Sequence, residues 1–555
     1  MNKTVKLNYK NQITKEFEED TRLIEVAPSF KKYYNYDILA AKLDNEILEL
    51  GDTISKGGMI EFYDRSSKVG NDIYARSIQF ILVLAVKRVM GMDAEVIIEH
   101  SIDKGVYCEI LDEKFDKPIL KKIEAEMKKI TEEDLIFTKL SVSRIDAMDF
   151  FKKRKQIDKM QALKYISNTY VNLYRLDTVY DYFYGEMAYS TRAINSYKLT
   201  YIKGNGFVLS YPDIYNPECT LDYKHHNMIF NTFLDYTRWG HNIGIENAAN
   251  LNAVISKGEY EKLIHLAEAY YNSQLARVAE EVYRNKENIK MVLIAGPSSS
   301  GKTTTSKKLE VYLQSRGIHT HQISIDDYFV NKIDTPLDEH GDLDFESLKA
   351  VDVDLFNRHL TKLLEGEKVL LPQYNFITGE REYKKKWLQL QKDDVIIIEG
   401  LHAMNEDLTL SIERKNKFKI YISPLTQLNI DNHNRICTTD TRKLRRIVRD
   451  NKHRGYSASD TLKQWRKIRD GEEKNIFPYQ DDADTVINSA LIYELGVLKT
   501  YVEPLLFSVE EDDEMYPEAL RLINFLRNLL PIPSDNVPVD SVLREFIGGS
   551  CFKDL

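Results

Sequence analysis

The octapeptide Gly296-Pro297-Ser298-Ser299-Ser300-Gly301-Lys302-Thr303 fits the pattern GxxxxGK[ST] and sits between the strand-like run MVLIAG and the helical run KTTTSKKLEVYLQSRG. Glycines let the backbone curl, so that its N–H groups and the first turn of the following helix face phosphate oxygens. Gly296, Pro297, Ser298, Ser299, Ser300, Gly301, Lys302, Thr303 and Thr304 are therefore read as an ATP-binding loop. Lys302 is expected to reach the terminal phosphates, and the Thr303 hydroxyl to hold Mg²⁺. A Gly-Ser-rich turn ahead of a helix is the bland alternative, and the flanking strand and helix argue against it. Glu399, which follows the apolar run Val395-Ile396-Ile397-Ile398, is the candidate acidic partner for the same Mg²⁺. Standing alone it would read as a solvated strand terminus.

A phosphate loop does not separate kinases from hydrolases or switches. A kinase needs a carboxylate beside the attacking hydroxyl to take its proton. Ser324-Ile325-Asp326-Asp327-Tyr328-Phe329 supplies two at the end of the next strand, and Asp326 is the candidate base, with Lys302 the other catalytic residue. Without the loop, a pair of turn or capping aspartates would be the better reading. The cluster Arg442, Lys443, Arg445, Arg446, Arg449, Lys452 and Arg454 is the densest positive patch in the chain. On a helix, Arg442, Arg445, Arg446 and Arg449 share one face. Arg445, Arg446 and Arg449 are read as a lid whose guanidinium forks match phosphate oxygens. The alternatives are a solvated face, a face paired with Asp440 and Asp450, or an RNA footprint.

These residues need elements to position them. From Asn288 on, strand-like runs (MVLIAG, HQISID, VIIIEG, KIYIS, TVINS) alternate with helical ones, which argues a mostly parallel sheet covered by helices. The chain has 555 residues, 43 % of them hydrophobic and 29 % charged, enough for several domains with sizeable cores. With 77 basic against 86 acidic residues the net charge is −9, which disfavours a wholesale polyanion binder. Four scattered cysteines without a CxxC pair fit reduced thiols, and the longest early apolar stretch, Ile78 to Val86, is too short to span a bilayer. A cytoplasmic protein with no membrane partner is expected. The parse is a small β-rich module over 1–65, an α+β domain over 66–225, a helical connector over 226–288, the α/β domain over 289–508 and a helical tail over 509–555. His225-His226 is read as a structural pair on a strand.

The pieces GPSSSGKTT, SIDDYF, DFESLKAVD, PQYNF, VIIIEG and DTRKLRRIVRD, in that order, resemble the uridine kinase and phosphoribulokinase family over roughly 288–507. The likeness implies a P-loop NTPase-type kinase domain of the α/β class. It aligns Asp326 with the catalytic aspartate, Glu346 with a ribose-holding carboxylate, Tyr374 with the tyrosine beside the base and Arg442 with an arginine near the sugar. Where uridine kinases place a base-reading histidine after that tyrosine, this chain has Gly379. Gly70 to Ser77, followed by DKGVYCEI, KKIEAEMKKI and YGEMAYSTRAI, resembles the N-terminal region of threonyl-tRNA synthetases, a TGS-like module followed by an editing domain. The editing site's HxxxH pair, cysteine and histidine fall at Arg76, Phe80, Phe183 and Met187, none of which keeps its metal-ligand type.

The resulting expectation is an ATP- and Mg²⁺-dependent nucleoside kinase acting on a 5′-hydroxyl, behind a synthetase-like region without editing chemistry. A kinase of another small hydroxyl acceptor, such as a sugar phosphate, would use Lys384-Lys385-Lys386 for the extra charge. A nucleotide-switched RNA-binding regulator is the reading of a different class, with RNA met through the N-terminal region. The sequence leaves homo-oligomerisation open.

Overall fold

The five strand-like runs of the second half assemble into one parallel sheet, in the order Thr320–Ser324, Val395–Glu399, Met291–Ala295, Lys417–Ser423, Thr485–Asn488. The computed structural model describes residues 3–10, 12–112, 114–338, 341–375 and 377–552, so Phe376 of the PQYNF piece lies outside the described residues. The three central strands are buried on both faces, which is why Met291–Ala295 and Val395–Ile398 read as unbroken apolar runs; Lys417–Ser423 is as buried, its Lys417 and Lys419 both pairing with Glu406. Successive side chains split between two cores. Val292 and Ile294 point to one, with Leu309 and Leu313, and Met291 and Leu293 to the other, with Phe356 and Leu360. The strand before the phosphate loop is central, so the loop, Asp326 and Glu399 all leave the sheet at its carboxyl edge.

Residues 226–288, expected as a connector, are built into this domain instead. They form helices Asn227–Asn242, Ala248–Ser256 and Tyr260–Arg284. The long third helix lies along the loop helix Lys302–Gln314, its Tyr271 hydroxyl 2.6 Å from Thr305 Oγ1, and Gln274 donates to the Asn488 carbonyl at 3.0 Å. Its apolar face from Leu263 to Val282 joins the same core as Val292 and Leu309. The C-terminal residues also join that core, through Leu522, Phe525, Val542 and Phe546.

The first 64 residues hold a mixed five-stranded sheet in the order Ile13–Glu18, Thr4–Tyr9, Gly58–Asp64, Ile38–Leu43, Glu46–Glu49. Then comes a helix, Lys68–Met90, started by the Ser67 side chain accepting from the Gly70 amide. The apolar stretch Ile78 to Val86 is its middle, buried on every side, between a four-stranded and a three-stranded antiparallel sheet. Among the described residues no helix is long and apolar enough to cross a membrane.

The two halves are joined through a polar loop, Asn429 to Arg435, inserted against the edge strand Val96–Ile102. The Ile98 amide donates to the Asn432 carbonyl at 2.8 Å, and Asn429 Nδ2 to the Ile98 carbonyl at 3.0 Å. Lys159, 1 % exposed, sits between Asp181 at 2.6 Å and Asp431 at 3.0 Å, and His433 joins them through Asp181. Asn45 of the first sheet donates to the Glu511 and Asp513 carbonyls, so the C-terminal stretch also touches the front module.

Candidate active site

The loop between Ala295 and Lys302 is shaped by its own sequence. A Cβ on Gly296 would stand 2.0 Å from the Ile422 carbonyl oxygen, and Ser299 and Gly301 hold φ of +61° and +87°. The loop folds back on itself, Lys302 Nζ donating to the Gly296 and Pro297 carbonyls at 2.9 and 3.3 Å. Thr303 Oγ1 donates to Glu399 Oε1 at 3.3 Å. Because the β-ladder pairs Glu399 with both Ile294 and Ser324, its carboxylate is held between the loop and the Asp326 turn.

Lys302 acts electrostatically on three carboxylates. Solvent reaches Asp326, yet the protein around it raises its pKa, against the opposing pull of Lys302. Burial pushes Glu399 up to about 7, helped by the charges of Asp326 and Glu545 and opposed by Lys302. Burial also takes Glu346 up to about 7, helped by Glu472 and Asp326 and opposed by Lys302 and Arg446. A cleft in which carboxylates are raised while one lysine holds them partly charged is the electrostatic setting for proton acceptance and cation binding.

Beside Asp326 stands an aromatic wall. The Phe329 and Tyr374 rings meet edge to face at 5.6 Å, and Phe345 lies 5.5 Å from Phe329. The Tyr374 amide donates to Asp327 at 3.3 Å, tying the wall to the aspartate turn. Glu346 rests on Gly471 of the helix Ala458–Asn475, where a Cβ would approach it to 2.9 Å. Gly379 adopts φ +73°, with Lys332 filling the space where its side chain would start, so this turn has no room for a histidine.

The arginine helix, Thr438–Arg454, corrects an expectation. Arg445, Arg446 and Arg449 are expected as a lid closing over phosphate, but Arg445 is 0 % exposed, its guanidinium already donating to Glu494 at 2.6 Å and to the Ser299 carbonyl at 3.3 Å. Arg446 donates to Ser298 Oγ at 2.6 Å and pairs with buried Asp450, which also takes Arg449. Arg442, expected near the sugar, lies against the loop: Nε donates to the Ser298 carbonyl at 2.9 Å, Nη2 pairs with Glu472 and the guanidinium faces the Trp465 ring. Like charges share a helix face here because buried carboxylates compensate them. His226 is corrected too: it precedes a helix, not a strand segment, and bridges Asp481 at 2.7 Å and Asp103 at 3.7 Å.

Two residues that the motifs did not mark reach the loop amides. Glu472 accepts from the Ser298 amide at 2.9 Å, and Glu545 from the Thr304 amide at 3.1 Å and its hydroxyl at 2.8 Å. Each lies more than 150 residues from its partner, and neither belongs to a local pattern that could have signalled it.

Residues 291–491 match the Phosphoribulokinase / Uridine kinase family. The C-terminal half carries a domain of that family. Over those residues the chain is similar to small-molecule kinases. A uridine kinase from Brevibacillus brevis is 29 % identical over 198 residues, which are 36 % of this chain and 83 % of that protein. The N-terminal region matches threonine–tRNA ligases. That of Carboxydothermus hydrogenoformans is 29 % identical over 202 residues, 36 % of this chain and 32 % of the ligase. The chain thus spans about a third of the length of the ligases it matches. Among solved structures, a "possible uridine kinase" from Bacillus stearothermophilus aligns with TM-score 0.24 at 20 % identity, over 36 % of this chain and 89 % of that one.

Proposed function

We propose that the kinase domain transfers the γ-phosphoryl group of ATP to the 5′-hydroxyl of a nucleoside. The observation that carries this reading is the placing of the phosphate loop, Glu399 at 3.3 Å from Thr303, and the Asp326 turn together at the carboxyl edge of one parallel sheet. Asp326 accepts the proton of the attacking hydroxyl as its oxygen bonds to phosphorus and the bond to the β-phosphate oxygen breaks, leaving ADP. Lys302, swung from the loop carbonyls, and the loop amides hold the phosphates. Thr303 and Glu399 fit a hard divalent cation: two oxygen ligands 3.3 Å apart, one of them a carboxylate whose charge burial disfavours and a cation would restore. Mg²⁺ held there supplies neutralisation of the charge on the phosphate oxygens. Arg446, through Ser298, fixes the tip of the loop. Glu346 and the wall of Phe329, Phe345 and Tyr374 form the acceptor side, a carboxylate for sugar hydroxyls beside flat apolar surface for a base.

A phosphorylated sugar, whose own phosphate would call on Lys384, Lys385 and Lys386, is the alternative acceptor. The test is ADP release with Mg²⁺ and ATP against nucleosides and sugar phosphates, beside Asp326→Asn. One nucleoside should support turnover, and the variant should lower kcat by about 10²–10⁴-fold while ATP affinity holds. Turnover with a sugar phosphate alone moves the assignment to that acceptor. ATP binding without ADP release for any acceptor rejects the kinase and favours the nucleotide-switched RNA binder.

A further inference from the structure

The phosphate loop is already engaged by an anion of the chain's own. Glu545, 8 % exposed, places Oε2 2.8 Å from Thr304 Oγ1 and 3.1 Å from its amide nitrogen, in the first turn of the loop helix. Those first-turn N–H groups and the positive helix end are what a phosphate loop offers a nucleotide. The carboxylate therefore holds a donor that a phosphate oxygen needs, and it brings a negative charge into the same space, since it also acts on Glu399. The chain around it completes the closure. Val542 covers Gly301, where a Cβ would meet its side chain at 2.3 Å. Asp540 pairs with Lys308 of the loop helix at 2.9 Å, and Phe546 lies under the Arg445 guanidinium at 5.0 Å. Lys452 of the arginine helix donates to the Ile547 carbonyl at 2.7 Å. Residues 540–547 thus bridge the two helices that flank the loop, with one of their two acidic side chains, Glu545, at the loop helix's N-terminus.

We propose that residues 540–547 are an intramolecular plug of the phosphate site, with Glu545 standing where a nucleotide phosphate binds, so that the nucleotide must displace this segment to enter. The proposal rests on the loop being a nucleotide site, as in the function proposed above. The observed nucleotide affinity is then the intrinsic affinity scaled by the small fraction of molecules whose plug is open. The segment is held by polar ties, Glu545 to Thr304 and Asp540 to Lys308, and by the packing of Val542 and Phe546. A fixed helix cap with the same contacts would differ in one respect: weakening it would lower stability without tightening nucleotide binding.

The test uses the full chain as wild type, Glu545→Ala, Glu545→Gln and Asp540→Ala, with Mg²⁺ and a non-hydrolysable ATP analogue as the probe. Affinity is read by calorimetry, and the exposure of residues 538–548 by hydrogen exchange. The Glu545 variants should bind the analogue about tenfold tighter or more, roughly 1.4 kcal/mol. Asp540→Ala, remote from the loop amides, should shift affinity the same way by less, and in wild type the analogue should raise exchange in the segment. If the analogue binds all four proteins equally and the segment stays protected, the plug is refuted while the nucleotide site stands. If no protein binds it, the plug and the proposed function fall together.

Discussion

Arg445 carries its charge where no water reaches it, between Glu494, 2 % exposed, and the carbonyls of Ser299 and Ser489. Removing one partner of such a pair leaves the other charge buried and uncompensated, which costs about 3–5 kcal/mol. Arg445→Met should lower the urea unfolding free energy by that amount, and the double variant with Glu494→Leu should recover most of it. A small loss in the single variant would show that water enters the site. The same residue explains what could be read from the chain and what could not. Gly296 to Thr304, Asp326 and Glu399 announce themselves because their chemistry is local: each follows a run that becomes a strand of the parallel sheet. Arg445 was legible as a charge but not as a buried one, since its partner stands 49 positions away on another helix. Glu472 and Glu545 carry no local signal at all. Their place at the loop follows only from how the helix Ala458–Asn475 and the C-terminal residues pack.

At the scale of elements, the polar loop Asn429 to Arg435 behaves as a staple. Lys159 is enclosed by Asp181 and Asp431, with burial opposing its charge and the two carboxylates outweighing it. Lys159→Met should therefore destabilise the whole protein by about 3–5 kcal/mol and raise hydrogen exchange at Ile98, whose amide is bonded to that loop. Unchanged exchange at Ile98 would mean that the strand edge is held without the staple. His226 makes a second tie, from the turn at Asp103 to Asp481, and its pKa is raised, chiefly by Asp103, with Asp481 adding to it. A raised histidine stabilises fully below its unfolded value, about 6.5, and the contribution fades as pH climbs through the folded value. Asp103 and Asp481 are lowered, so their share is lost only as pH falls below the ordinary aspartate range, near 4. His226→Gln should thus lose more stability at pH 5.5 than at pH 8.5; equal losses at both would remove the histidine's charge from the account. The alternation of strand and helix made the parallel sheet legible. The partners of His226 were not legible because its two carboxylates come from different halves of the chain, Asp103 from the front domain and Asp481 from the α/β domain.

For the molecule as a whole, the front half answers a chemical question by what fills it. The positions that align with a synthetase's editing ligands do come together: Arg76 donates to the Glu186 carbonyl, Phe80 meets the Phe183 ring at 5.3 Å, and Met187 is buried beside them. Aromatic and thioether groups pack such a space instead of binding zinc. Phe183→Ala should then cost about 3–5 kcal/mol, while a chelator leaves the unfolding temperature unchanged; a drop with chelator would restore a metal to this domain. The joining loop, finally, sets an order of events. Its polar groups find their partners on a strand edge, Val96–Ile102, and on Lys159, all of which leave the ribosome more than 250 residues before the loop itself. Domains fold as units during synthesis, N-terminal first. The front half is therefore a template already standing when the kinase sheet is completed, and a chain begun at the phosphate loop would have to bury Asp431, His433 and Asn434 with nothing to receive them.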